Sequence, residues 1–327
     1  MAVSMSDVAR HAGVSQRTVS NVVNNYVHVS PATRARVQAS LDALGYRPNT
    51  AARRLRTGRT GTVTLAVPTF RERYFADLAE AVVAAARRRS TTVLVETTGG
   101  RRETELELLR GGGEILTDGL IMSAVSLGRI EHSSAHPVVL IGDREPGSTI
   151  DHVGIKNREA AQAAVTHLLD TGRRRILLLG ANHGPRRSYQ LRRQGYQAAL
   201  KHHGIAPDPD LLVDCDWTTE EAAAAIAKHF EHLKPDGIFA MNDSAGLGAL
   251  HALRRAGIDV PGDVSVIGFD DIVESGLATP TLSTVAPLLD EIAAGALDLL
   301  EEQLAGDHVP QHRMAGYELR LRESSTR

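Results

Sequence analysis

The residues with the clearest chemical use lie between Ser15 and Asn24. On a helix, Gln16, Arg17 and Asn21 fall on the side opposite Val19, Val22 and Val23. An arginine fork matches the O6 and N7 of guanine, and the amides of Gln and Asn match the N6 and N7 of adenine, so this trio could read base edges. Ser15, Thr18, Ser20 and Asn24 add short polar groups of the kind that hold phosphates and set register. Exposed Gln, Arg and Asn also serve solubility alone, so the chemistry depends on the elements that carry them.

Those elements are legible. Ser4-x-x-Asp7 forms a capping box before Met5, Val8, Ala9 and Ala12, and Gly13 stops that helix. Ser15 then caps a second helix over 16–24. Ser30 caps a third, with Pro31 at its first position and Val37, Leu41 and Leu44 as its buried stripe, until Gly45 ends it. Helix, glycine turn, helix is a helix-turn-helix. Charge separates this head from the rest. Residues 1–60 carry nine arginines against Asp7 and Asp42, a net +7, and the other 267 residues hold 28 basic and 37 acidic side chains, a net −9. A basic head on an acidic body calls for a polyanion at the head, most simply nucleic acid, the alternative being a solvated basic tail.

After Gly61 the pattern becomes strands alternating with helices. The runs 62–67, 92–96, 138–141, 175–180, 237–241 and 264–268 are short, β-branched and nearly continuous in apolarity, which reads as buried parallel strands. Helical stretches at 74–89, 156–171, 188–203, 218–233 and 243–256 lie between them, so the fold class is α/β, with room for two doubly wound units. Ligands of such units sit beyond the carboxyl ends of strands. The polar residues there are Asp143 and Arg144, Ser188 to Arg193, Asn242 and Asp243, and Asp270 and Asp271.

The run DVARHAGVSQRTVSNVVN, followed by VSPATRARVQASLDALGYRPNTAARRLRTGRTGTV, closely resembles the head and hinge of the LacI/GalR family of bacterial transcription regulators. The segment GIFAMNDSAGLGALHALRRAGIDVPGDVSVIGFDD, then TPTLSTV, resembles the C-terminal subdomain of the same family, and the resemblance extends over nearly the whole chain. It implies that Gln16, Arg17 and Asn21 occupy base-reading positions and that 48–56 is a hinge helix. There Leu55 would wedge into the minor groove while Arg53, Arg54 and Arg56 hold phosphates.

The resemblance further implies a body like a periplasmic sugar-binding protein, with a small effector between two subdomains. Asp143, Arg192, Trp217, Asn242 and Asp270 match its effector-contacting positions. Carboxylates, an amide, an arginine fork and an indole face suit a polyol. Arg192 and Asp270 could equally brace the sheet ends as a salt bridge, and Trp217, the single tryptophan, could be a core cover. The first βα loop departs from the family pattern, reading TFRERYF over 69–75 where Asp-x-x-Asn-Pro-Phe-Phe is usual. Tyr74 and Phe75 keep the aromatic pair, but Arg71, Glu72 and Arg73 replace the polar-proline turn, so effector identity does not carry over.

The expected organisation is a helix-turn-helix head over 1–46, a hinge and linker over 47–60, and an effector-binding, dimerising body over 61–327. Within the body, one subdomain is expected over about 61–156 and 288–317 and the other over about 157–287 and 318–327. The expected partners are a palindromic double-stranded DNA operator, a carbohydrate-like effector and a second copy of the chain. A dimer is expected because one short recognition helix reads too few bases, and the resemblance implies no more than a dimer, since the leucine-rich helix by which tetrameric family members assemble is not seen after LRLRESSTR.

The sequence holds no phosphate loop, no complete dinucleotide fingerprint after a strand, no nucleophile elbow and no His-Glu-x-x-His motif, so neither catalysis nor a cofactor is expected. His229/His232 and His132/His136 have ligand spacing with no third partner nearby, so no metal site is expected. No apolar run approaches a membrane span, and the first residues lack a secretory pattern. Together with the single cysteine, Cys215, this points to the bacterial cytoplasm. The rival readings are a small-molecule binding module with no DNA role, which leaves the basic head unexplained, and a sugar-processing α/β enzyme, which lacks its motifs.

Overall fold

A computed structural model describes residues 3–23, 26, 28–46, 59–111, 117–127, 136–143, 149–181, 187–306 and 308–326. The chain divides into two compact units, Met1–Thr60 and Gly61–Arg327.

The first unit is three helices, α1 (Met5–Ala12), α2 (Gln16–Val23) and α3 (Pro31–Leu44). Their ends are fixed by the signals in the sequence. Ser4 accepts from the Asp7 amide while Asp7 reaches back to Ser4, and Gly13 and Gly45 end α1 and α3 in the left-handed conformation that glycine adopts without penalty. Ser15 Oγ accepts from the Thr18 amide at 3.1 Å, and Ser30 Oγ from the Thr33 amide at 3.3 Å. Val8, Val19, Val22 and Val37 meet in one small core, and His11 Nδ1 lies 3.0 Å from Ser40 Oγ to tie α1 to α3. Asn24 and the hinge positions Arg53, Arg54, Leu55 and Arg56 lie outside the described residues.

The second unit contains two six-stranded sheets. Sheet A is built from β1 (Thr62–Val67), β2 (Thr92–Thr97), β3 (Leu120–Ser123), β4 (Val138–Ile141), β5 (Asp151–Ile155) and, far along the chain, β11 (His312–Ala315), in the order β11-β5-β4-β3-β1-β2, all parallel. Sheet B takes β6 (Ile176–Leu179), β7 (Leu212–Val213), β8 (Gly237–Ala240), β9 (Ser265–Phe269), β10 (Ser283–Pro287) and β12 (Tyr317–Arg320), ordered β12-β10-β9-β8-β6-β7, with β12 alone antiparallel.

Helices α4 (Arg73–Arg88), α5 (Arg102–Leu109) and α11 (Leu289–Ala305) accompany sheet A. Helices α6 (Asn157–Asp170), α7 (Arg187–His202), α8 (Thr219–Leu233), α9 (Asp243–Arg255) and α10 (Val273–Leu277) accompany sheet B. Crossovers covered by helices bury both faces of the central strands, so Leu65, Ile121, Leu178 and Phe239 have no exposure. Each such side chain stabilises the fold by about 1.5–3 kcal/mol. The chain passes between the sheets at residues 155–157, 287–289 and 315–317. Among the described residues no helix is long and apolar enough to cross a membrane.

One expectation needs correction, and one strand escapes the sequence pattern. The run 92–96 reads as a buried strand, yet β2 is the outer edge of sheet A and leaves Leu94 and Val95 38% and 40% exposed. Its apolarity does not signal burial within this chain. Conversely, β5 carries Asp151, His152 and Gly154, which break the apolar pattern, and is nonetheless buried throughout. Asp151 is satisfied there by the Gln311 amide at 2.6 Å and Gln303 Nε2 at 2.5 Å, with His308 Nε2 2.6 Å away. Hydrogen bonding is what makes such burial tolerable.

Candidate DNA-reading face and candidate effector cleft

In the first unit, the Ser15 cap sets the start of α2 and so the direction of its side chains. Val19 and Val22 go into the core, and Gln16 and Arg17 stand exposed on the other side, with Asn21 half-exposed one turn further on. Ser15 is exposed beside them, and Thr18 and Ser20 are half-exposed. Ser15 is partly spent on the cap, its Oγ lying 2.8 Å from Thr18 Oγ1. Helix, turn and exposed polar face thus come together as the sequence implies.

In the second unit, the strand ends of both sheets converge on a cleft open to solvent. Glu72, Tyr74 and Phe75 line it from the loop after β1, and Gly142 and Asp143 from the end of β4. Asn157 enters at the start of α6, Ser188 and Arg192 from α7, Trp217 from before α8 and Asp270 from the end of β9. Six of the seven expected effector residues therefore meet in one place.

The polar groups form a continuous chain. Asn157 Nδ2 donates to Asp143 Oδ1 and Oδ2 at 2.9 and 3.0 Å, and Asn157 Oδ1 accepts from Arg192 Nε at 2.8 Å. Arg192 also donates Nη1 to the Met241 carbonyl and holds Nη2 3.6 Å from Asp270 Oδ1. Its guanidinium lies 3.5 Å over the Phe269 ring centroid and 5.5 Å from that of Trp217, which fixes its plane. The chain Asp143–Asn157–Arg192–Asp270 thus runs from the end of sheet A to the end of sheet B. Asn157 is the cleft residue that sequence reasoning missed. The rule of searching just after strands would have found it, had β5 been recognised as a strand.

Backbone geometry sets the two carboxylates. Gly142, at φ +118, turns the chain into Asp143, and its carbonyl is met by His152 Nε2 at 2.5 Å. A Cβ on Gly154 would lie 2.2 Å from that same carbonyl, so only glycine permits the approach. Asp270 and Asp271 are left-handed, at φ +115 and +55, a strain of order 1–3 kcal/mol each that the surroundings must hold. Asp243, without exposure, does so by accepting from the Ile272 amide at 3.0 Å, Ser275 Oγ at 2.7 Å and Thr284 Oγ1 at 2.5 Å.

Burial raises the Asp270 carboxyl well above the usual carboxylate range. Arg192 opposes that rise, and Asp243 and Glu72 add to it. Burial likewise pushes Asp243 up to about 6 against its three donors. The Tyr74 phenol is raised by burial and by Asp270, against Arg192. Among the described residues the cleft therefore presents acceptors, the forks of Arg187 and Arg192 and aromatic faces without a nucleophile–base pair, which suits holding a polyhydroxylated molecule.

Asn242 stands apart. Its Oδ1 accepts from the Ala245 amide at 2.9 Å to cap α9, and its Nδ2 donates to the Trp217 carbonyl at 3.0 Å. It does not line the cleft. Its place is behind Trp217, whose indole Nε1 donates to the Gly180 carbonyl at 2.9 Å. Among the described residues no cluster of His, Cys, Asp or Glu could hold a metal ion.

Comparison with known proteins finds relatives of both units. Residues 4–49 match the model of bacterial regulatory proteins of the lacI family, and residues 165–325 that of the periplasmic binding protein-like domain. Catabolite control protein A of Priestia megaterium is 32% identical over 309 residues, 93% of each chain. Among solved structures, a lac repressor dimer bound to operator and the anti-inducer ONPF superimposes with a TM-score of 0.82 at 25% identity, covering 99% of each chain. The regulator CelR in complex with cellobiose does so with a TM-score of 0.72 at 30% identity, covering 98% of this chain and 99% of its own.

Proposed function

The chain belongs to the LacI family of bacterial regulatory proteins and is a DNA-binding transcriptional regulator, and from that premise we propose that it is an effector-controlled repressor. In this reading residues 1–46 bind one half of a palindromic operator, residues 47–60 are the hinge, and the body over 61–327 holds a carbohydrate. Gln16, Arg17 and Asn21 read bases, and Ser15, Thr18 and Ser20 hold the backbone. Asp143, Arg192 and Asp270 bind hydroxyls, Tyr74, Phe75 and Trp217 pack against the sugar ring, and Asn157 joins them.

The observation that carries the reading is the polar chain spanning the two sheet ends in a cleft between aromatic walls. A ligand that takes over Asp143 must alter its contact with Asn157, which joins the two subdomains. That gives it the differential affinity for two states that any effector needs. A dimer is supported by the aliphatic edge of β2 and by Val273 and Leu277 on α10, which are 54% and 77% exposed. Exposed edges and patches of this kind are seams for a second copy.

The test uses the full chain. Selection from random DNA should return a two-fold symmetric sequence, and a thermal-shift panel of neutral mono- and disaccharides should return at least one binder that changes affinity for that DNA. An asymmetric site, or a binder without effect on DNA, would overturn the respective half of the proposal.

A further inference from the structure

One wall of the cleft is made by the short segment after β3, where Ser123, Ala124, Val125 and Leu127 line the cavity. The segment lies beyond the last ladder pair of β3, Ser123 with Ile141, and four residues of irregular backbone would shift readily unless held. It is instead gripped from behind by α5. Glu105, on that helix, has no exposure. Its Oε1 accepts from the Val125 amide at 3.0 Å, and its Oε2 accepts from the Ser126 amide at 3.2 Å and from Ser126 Oγ at 2.6 Å. Arg102, a turn earlier on α5, donates Nη1 to the Ser126 carbonyl at 3.1 Å.

A buried carboxylate is costly unless its oxygens are met, and here every identified donor comes from this one segment. The Val125 and Ser126 amides in turn gain an acceptor that no strand among the described residues supplies. We propose that Glu105 is a positioning residue for the effector cleft: it presets the Ala124–Leu127 wall before a ligand arrives, so that binding does not have to order it. The proposal rests on the cleft being the effector site. Preorganisation of this kind acts on affinity, because backbone already ordered costs nothing further on binding.

The decisive experiment compares full-length Glu105→Ala and Glu105→Gln with wild type by amide hydrogen exchange, without any sugar. The amides of Val125 and Ser126 should exchange at least tenfold faster in Glu105→Ala. They should be intermediate in Glu105→Gln, which keeps one acceptor oxygen, while strands β1 and β4 and the head retain wild-type rates. A second arm titrates the fluorescence of Trp217, the single tryptophan, with cellobiose and with glucose. A sugar that binds wild type should bind Glu105→Ala at least tenfold more weakly and Glu105→Gln within about threefold. Unchanged exchange at Val125 and Ser126, exchange that rises across the whole of sheet A, or unchanged affinity for a bound sugar would each overturn the proposal. Silence of wild type toward both sugars counts against the carbohydrate reading of the cleft and leaves the exchange result to decide the role of Glu105.

Discussion

Replacing Asn157 with alanine removes one amide that serves two charged groups. It donates to both Asp143 oxygens at 2.9 and 3.0 Å and accepts from Arg192 Nε at 2.8 Å. A hydrogen bond to a charged group contributes about 1.5–3 kcal/mol. The cleft admits water to part of the vacated space, so the low end applies, and the two sides together come to roughly 3 kcal/mol. At 1.4 kcal/mol per tenfold, that is about a 100-fold loss of effector affinity if both Asp143 and Arg192 lose their aim, and about tenfold if one does. Trp217 fluorescence, titrated with a saccharide from the thermal-shift panel, reads this directly, and operator binding with and without that sugar reads the response. Asn157→Asp separates geometry from charge. It keeps an acceptor for Arg192 but sets a second carboxylate against Asp143, so its sugar affinity should recover as pH falls. Wild-type sugar affinity in Asn157→Ala would refute the polar chain as the means by which the cleft holds its ligand.

Asp243 gives a pH signature. Its carboxyl rises from 3.8 to about 6 on folding, so between those values the folded chain binds more protons than the unfolded one. Stability contributed by this group should therefore fall as pH rises from about 4 to 6, by about 3 kcal/mol at most. Asp243→Asn should flatten that slope in melting curves, and a parallel slope would refute the assignment. In the head, Arg17→Ala should cost about 1–3 kcal/mol of operator affinity and relax preference at one symmetric pair of positions, which repeated selection with the variant would show. Gly154→Ala forces a Cβ to within 2.2 Å of the Gly142 carbonyl. It should destabilise the body by about 1–3 kcal/mol and shift Asp143, visible as a lowered melting temperature together with weakened sugar binding.

The head was the most legible part of the sequence because its boundaries are local. Ser4, Ser15 and Ser30 each cap the helix that follows through a side chain a few residues from its partner, and Gly13 and Gly45 stop helices through their own φ. The central strands were legible for a similar reason, since a strand covered on both faces is apolar throughout. Legibility failed where burial is bought with polar partners distant in sequence. Asp151 in β5 depends on Gln303, His308 and Gln311, more than 150 residues away, so the strand looks too polar to be buried, and Asn157, just beyond it, was overlooked with it. The amide of Asn242 was assigned to the cleft from pattern alone. Its actual partners, the Ala245 amide and the Trp217 carbonyl, include one from another element that no spacing rule reveals. The edge strand β2 failed in the opposite sense, because its apolarity marks a surface rather than a core.

The three crossings between the sheets have a consequence for how the molecule comes into being. Sheet A waits for β11 and sheet B for β12, and both arrive within the stretch 312–320. Sheet B is tied further by Ser324, whose Oγ donates to the Val266 carbonyl and accepts from the Ser283 amide. During synthesis, neither half can close its sheet early, however much of it has already emerged. The body is thus built of long-range pairings that form last, the arrangement that folds slowly and exposes unpaired edges longest. The head, whose apolar core is drawn from the first 46 residues, can be complete long before the body.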